Sequence, residues 1–133
     1  MPAAQPPLSA KKRILIVDDK PSDTRLVKYY LEESGPYIVQ EENDARLALA
    51  AAGVFQPHLI LLDIRMPGMD GCELATHIRA NPLLAGVPLV FLTALVAKSE
   101  LAGNGGQSRM TPMLAKPIIL KDLLACVRLQ LGM

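Results

Sequence analysis

From residue 11 onward, short runs of consecutive apolar residues alternate with stretches in which apolar residues recur every three or four positions. Pro, Gly, Asp or Asn marks most changes of period. Arg13–Val17 is a β-branched run that predicts a strand, ended by Asp18 and Asp19. Pro21, Ser22 and Asp23 supply a helix start, the spacing of Leu26, Val27, Tyr30 and Leu31 predicts its apolar face, and Gly35-Pro36 stops it. Tyr37-Ile38-Val39 reads as a short strand, and Asp44 can cap a helix through Leu47, Leu49 and Ala50 to Ala52 that ends at Gly53. Leu59 to Leu62 are apolar without alternation, which suits a strand covered on both faces, although so short a run also fits buried helix.

Beyond Asp63, Met66-Pro67-Gly68 and Asp70-Gly71 bracket a loop, Glu73 to Ala80 predicts a helix closed by Asn81-Pro82, and Val87 to Leu92 predicts a fourth strand ending at Thr93. Ala97 to Ala102 reads as a short helix and Met113-Leu114-Ala115 as a fifth strand. Leu120, Leu123, Leu124, Val127 and Leu131 then mark a final amphipathic helix. Five strands alternating with five helices specify a doubly wound α/β sandwich, because parallel strands need helical crossovers and right-handed crossovers cover both faces of the sheet. Residues 1–10, with three prolines and no periodicity, read as a flexible tail, leaving 11–133 as one domain.

Composition narrows the function classes. At 133 residues and 50% hydrophobic content, the chain can bury about two thirds of its unfolded surface in a single core. Fourteen Lys plus Arg against 13 Asp plus Glu give a net charge of +1, no field to hold nucleic acid or an anionic membrane. No apolar run approaches the ~20 residues of a membrane span, and Met1 to Ala10 lacks the features of a signal peptide, so the expected location is the cytoplasm. Cys72 and Cys126 are far apart with no Cys/His cluster nearby, which reads as two buried or half-buried free thiols rather than a disulfide or metal site.

The polar residues at the strand ends carry the chemistry. Asp18, Asp19, Asp63, Thr93 and Lys116 each fall at or just past the carboxyl end of an apolar run, on strands one, three, four and five. In an open α/β sheet that edge is where ligands bind. Neighbouring carboxylates raise one another's proton affinity, so a cation must hold them together, and an all-oxygen ligand set suits a hard ion such as Mg²⁺. An ionised Asp can also attack phosphorus, and Lys116 and Thr93 can supply a cation and a hydroxyl to the phosphoryl oxygens. His58 and His77 read as ordinary surface or boundary residues.

With these residues in place, the sequence resembles a receiver domain of two-component response regulators over residues 11–133. The resemblance rests on Ile14-Leu15-Ile16-Val17-Asp18-Asp19, on Leu59 through Gly71, on Phe91-Leu92-Thr93-Ala94 and on Lys116-Pro117. It implies a flavodoxin-like three-layer sandwich with strand order 2-1-3-4-5 flanked by five helices. It makes Asp63 the phosphoacceptor, Asp19 a direct Mg²⁺ ligand, Asp18 a second acidic residue that often ligates through water, Thr93 the switch hydroxyl and Lys116 the phosphate-binding lysine. The main-chain carbonyl of Arg65 would complete the metal shell, and Arg65 and Leu95 would flank the phosphoryl group.

The same resemblance implies a cis Lys116-Pro117 peptide and a regulatory rather than enzymatic role beyond reactions at Asp63 itself. The implied partners are a sensor histidine kinase or histidine phosphotransfer protein and an unknown downstream protein, with phosphorylation-dependent dimerisation left open. Several features depart from the family pattern, among them Glu42 and Ala45, which stand where small residues and a glycine are common. Met113 stands where Tyr or Phe is usual, and Gly103 to Pro112 is Gly-rich where a Gly-Ala-acidic stretch is common. A phosphorylation-independent scaffold and a phosphatase-type enzyme are the alternatives. The adjacent acidic pair lacks a D-x-D pattern, and neither a P-loop nor G-x-G-x-x-G is present.

Overall fold

The structure, a computed structural model, describes residues 11–94 and 112–132. In chain order these form β1 (Lys12–Val17), α1 (Pro21–Ser34), β2 (Tyr37–Glu42), α2 (Ala45–Phe55), β3 (Leu59–Asp63), α3 (Gly71–Ala80), β4 (Leu89–Thr93), β5 (Met113–Ala115) and α4 (Leu120–Leu131). The strands make one parallel sheet in the order β2-β1-β3-β4-β5, the order the resemblance implies. The expected fifth helix, Ala97 to Ala102, lies outside the described residues, as do the tail 1–10, Leu95 and the Gly-rich stretch 103–111. Among the described residues the helices number four.

The unalternating runs are strands with both faces covered. Ile14 and Ile16 of β1, Leu59 and Leu61 of β3, and Val90 and Leu92 of β4 pack with Val27 and Leu31 of α1 and with Leu123 and Val127 of α4. Their neighbours Leu15, Val17, Ile60, Leu62, Leu89 and Phe91 turn to the opposite layer, where Ala45, Ala48 and Ala52 of α2 meet Leu74, Ala75 and Ile78 of α3. A side-chain period of two along each strand thus feeds two separate cores.

The structure corrects several expected boundaries. Strand β2 continues past Val39 to Glu42, because pairing with β1 carries on as far as Val17↔Glu42. Helix α2 does not stop at Gly53. It runs on to Phe55, and Gln56, at φ 53°, closes it by donating its N–H to the Ala52 carbonyl at 2.9 Å. Its buried face is alanine, spaced 45, 48 and 52, so Leu47 is 55% exposed rather than part of the core. Leu26 of α1 is also exposed, and that helix buries Thr24, Val27 and Leu31 instead. No described helix is long and apolar enough to cross a membrane.

Candidate functional site

Four strand ends converge on the carboxyl edge of the sheet. Asp18 and Asp19 follow β1, Asp63 is the last residue of β3, Thr93 the last of β4, and Lys116 follows β5. Asp18, Asp63 and Thr93 are buried and Asp19 is half-buried. The loop after β3 is held by a close backbone approach. Gly71, first residue of α3, donates its N–H to the Ile64 carbonyl at 2.8 Å and leaves no room for a side chain against the Asp63 carbonyl oxygen. Gly68 takes a φ of 82° in that loop, a conformation that favours glycine. Asp70 caps α3 by accepting from the Cys72 N–H at 2.7 Å.

The expected residues do come together. Asp18, Asp19 and Asp63 each offer a carboxylate oxygen, and these oxygens lie within 4.8 Å of one another. Three hard, anionic oxygen donors at that spacing fit Mg²⁺, which takes few protein ligands and retains water. Lys116 Nζ stands over the cluster, 2.5 Å from Asp18 Oδ2 and 3.6 Å from Asp63 Oδ1. Its backbone N–H donates to the Thr93 carbonyl at 2.8 Å, and the Lys116-Pro117 peptide is cis, as expected. A cavity of about 220 Å³ opens over the site, lined by Asp19, Lys20, Asp63, Arg65, Thr93, Ala94 and Lys116.

The electrostatics follow from burial. Burial, followed by the charge of Asp18, raises the Asp63 carboxyl above its ordinary value, against the downward pull of Lys116 and of the Arg65 backbone N–H. Asp18 is likewise raised by burial, although hydrogen bonds from Lys116 and from the Lys20 backbone N–H oppose this. For Lys116, burial lowers the ammonium, but its hydrogen bonds and charge contacts with Asp18, Asp23 and Asp63 together raise it. The site is therefore a crowded, partly desolvated set of carboxylates with the Lys116 ammonium among them.

Sequence reasoning missed the carboxylate that completes this set. Asp23, read only as a helix start, lies in the first turn of α1 with its Oδ2 at 3.1 Å from Lys116 Nζ. A helix that begins at the carboxyl end of β1 must open on the same edge as the site, and that is the signal that could have found it. Asn43 was also missed; its Nδ2 donates to the Asp18 carbonyl at 2.8 Å and to Thr24 Oγ1 at 3.0 Å, and Thr24 in turn donates to Glu41. His58 is structural: Nδ1 accepts from the Arg13 N–H at 2.9 Å, away from the site at the start of β1. Met113 packs half-buried against the α2/α3 core.

Comparison with known proteins agrees with this geometry. The family model for the response regulator receiver domain matches residues 14–128. The chain is 37% identical over 116 residues to the DNA-binding dual master transcriptional regulator RpaA of Synechocystis, covering 87% of this chain and 47% of that protein. It is 35% identical over 121 residues to the DNA-binding response regulator MtrA of Mycolicibacterium smegmatis, covering 91% and 51%. The chain thus spans about half the length of these two relatives. Among solved structures, the chemotaxis protein CheY4 of Vibrio cholerae superposes with a TM-score of 0.79 at 29% identity, covering 91% of this chain and 99% of that one. A CheY-like response regulator receiver domain protein of Methanospirillum hungatei gives a TM-score of 0.77 at 28% identity, covering 92% and 95%.

Proposed function

The chain belongs to the family of response regulator receiver domains, the phosphoacceptor modules of two-component signalling, and from that premise we propose that Asp63 accepts the phosphoryl group. The observation that carries this reading is the convergence of three carboxylates and Lys116 around Asp63 at the end of β3. The Asp63 carboxylate attacks phosphorus and the donor's leaving group departs, giving an aspartyl-phosphate. The donor is a histidine kinase, a histidine phosphotransfer protein or a small acyl phosphate. Lys116 stands within reach of the new phosphoryl oxygens, and the buried Thr93 hydroxyl at the end of β4 offers them a second hydrogen bond.

Asp18, Asp19 and Asp63, with the main-chain carbonyl of Arg65, would hold Mg²⁺. Bound there, the ion offsets the negative charge that builds on the phosphoryl oxygens during transfer. Asp18 Oδ1 already accepts from the Lys20 N–H at 3.0 Å and Oδ2 from Lys116, which suits contact with the ion through water. The protein acts as a cytoplasmic regulatory domain, 11–133, whose only chemistry is gain and loss of the phosphoryl group; a partner protein reads the altered surface.

Treatment with acetyl phosphate and Mg²⁺ tests the assignment. Intact mass should rise by one phosphoryl group in the wild type and stay unchanged in Asp63→Asn or in EDTA. No mass increase in any condition would favour a phosphorylation-independent scaffold, and labelling of Asp63→Asn at wild-type rate would move the phosphoacceptor elsewhere.

A further inference from the structure

Lys116 carries three N–H donors and no acceptor. Asp18 Oδ2 takes one at 2.5 Å and Asp23 Oδ2 another at 3.1 Å, while Asp63 Oδ1, at 3.6 Å, lies beyond ordinary hydrogen-bond range. The ammonium is therefore drawn toward two carboxylates other than the one that Lys116 must serve. The backbone on both sides of the contact is fixed. The Lys116 N–H is bound to Thr93, and the Asp23 N–H donates to the Lys20 carbonyl at 3.0 Å. Any reorientation falls on the lysine side chain.

Which carboxylate yields is decided by solvent. Asp18 is fully buried, and separating the ammonium from it leaves a desolvated charge unpaired. The Asp23 side chain is 33% exposed, so water can take over its hydrogen bonds at little cost. Resting on the reading of Asp63 as phosphoacceptor, we propose that Asp23 is a positioning residue. It tethers the Lys116 ammonium away from Asp63 in the resting protein and competes with the phosphoryl group for it. The tether sets how readily the phosphoryl-bound state forms, without Asp23 touching the reacting atoms.

The test uses Asp23→Asn, which keeps the shape and removes the charge. Beryllium fluoride, a tetrahedral anion that binds carboxylates as a phosphoryl mimic, is titrated in excess Mg²⁺ and followed by fluorine NMR. Asp23→Asn should bind it about two- to fivefold more tightly than wild type, the range a partly exposed ion pair can supply. In parallel, urea unfolding in EDTA of wild type, Asp23→Asn, Lys116→Met and the double variant should show a favourable coupling between the two residues. Unchanged or weaker affinity in Asp23→Asn, or a coupling of zero, overturns the tether. Failure of the wild type to bind the mimic at all would instead overturn the phosphoacceptor reading, and the metal-free unfolding cycle would still report whether Asp23 holds Lys116.

Discussion

The Asp63 carboxylate works against the stability of the fold around it. Burial and the neighbouring Asp18 charge raise its carboxyl above the ordinary value of 3.8, so ionising it is harder in the folded chain than in the unfolded one. A raised folded value in an acid means stability falls as pH climbs from the unfolded value through the folded one, with the penalty complete above both. Asp63→Asn removes the titrating group and gives up a 3.6 Å contact with a lysine that keeps Asp18 and Asp23, while its amide oxygen can still accept from the Arg65 N–H. Relief of repulsion should win. In EDTA the variant should match wild type near pH 3 and exceed it by an amount on the order of 1 kcal/mol at neutral pH. Urea unfolding across that range is the measurement, and an advantage that shrinks as pH rises would show that Lys116 fully compensates the Asp63 charge.

Two glycines in successive helices separate what a helix needs from what the site needs. An added Cβ at Gly71 would meet the Asp63 carbonyl oxygen and come within 2.7 Å of Ile64 Cα, both backbone atoms that cannot step aside. At Gly53, inside α2, the same atom meets nothing within 4 Å. Gly71→Ala should therefore cost about 1–3 kcal/mol and slow phosphorylation by displacing the Asp63 backbone, whereas Gly53→Ala should gain about 0.5–1 kcal/mol with phosphorylation unchanged. Urea midpoints with acetyl phosphate time courses check both, and a neutral Gly71→Ala would mean that the loop after β3 relaxes freely. Gly53 also shows why the sequence misplaced the end of α2. A glycine in a helical pattern reads as a stop, yet nothing crowds Gly53, and the helix is held beyond it by the Gln56 N–H on the Ala52 carbonyl. Leu47 drew attention as an apolar helix residue, but the buried face is the small Ala45, Ala48 and Ala52, which sit against β1 and α3.

At the scale of the whole molecule, the site was legible because it is a property of topology. Once residues 11–133 are read as alternating strands and helices, every strand end falls on one edge, and Asp18, Asp19, Asp63, Thr93 and Lys116 are there before any contact is known. Topology puts Asp23 on that edge as well, but it gives neither the contact of Asp23 with Lys116 nor the role of Asn43. Their roles depend on how far α1 and the β2–α2 turn lean over that edge, which packing of Val27 and Leu31 against the sheet decides and local spacing does not. An edge that gathers three carboxylates from two strands also predicts a global response. Without a metal ion, their repulsion works against closing β1 onto β3; Mg²⁺ held by Asp18, Asp19 and Asp63 would offset that repulsion and would be released on unfolding. Mass action then stabilises the fold by about 1.4 kcal/mol at ten times the dissociation constant, roughly 4–7 °C in the thermal midpoint for a domain of this size. Screening by the added salt also relieves carboxylate repulsion, so the deciding comparison is between MgCl₂ and NaCl of equal ionic strength for each of wild type, Asp19→Asn and Asp63→Asn. The Mg²⁺-specific rise should appear in the wild type and largely vanish in both variants. An equal rise in all three would show that the ion binds elsewhere, and the carboxylate cluster would then owe its cohesion to Lys116 alone.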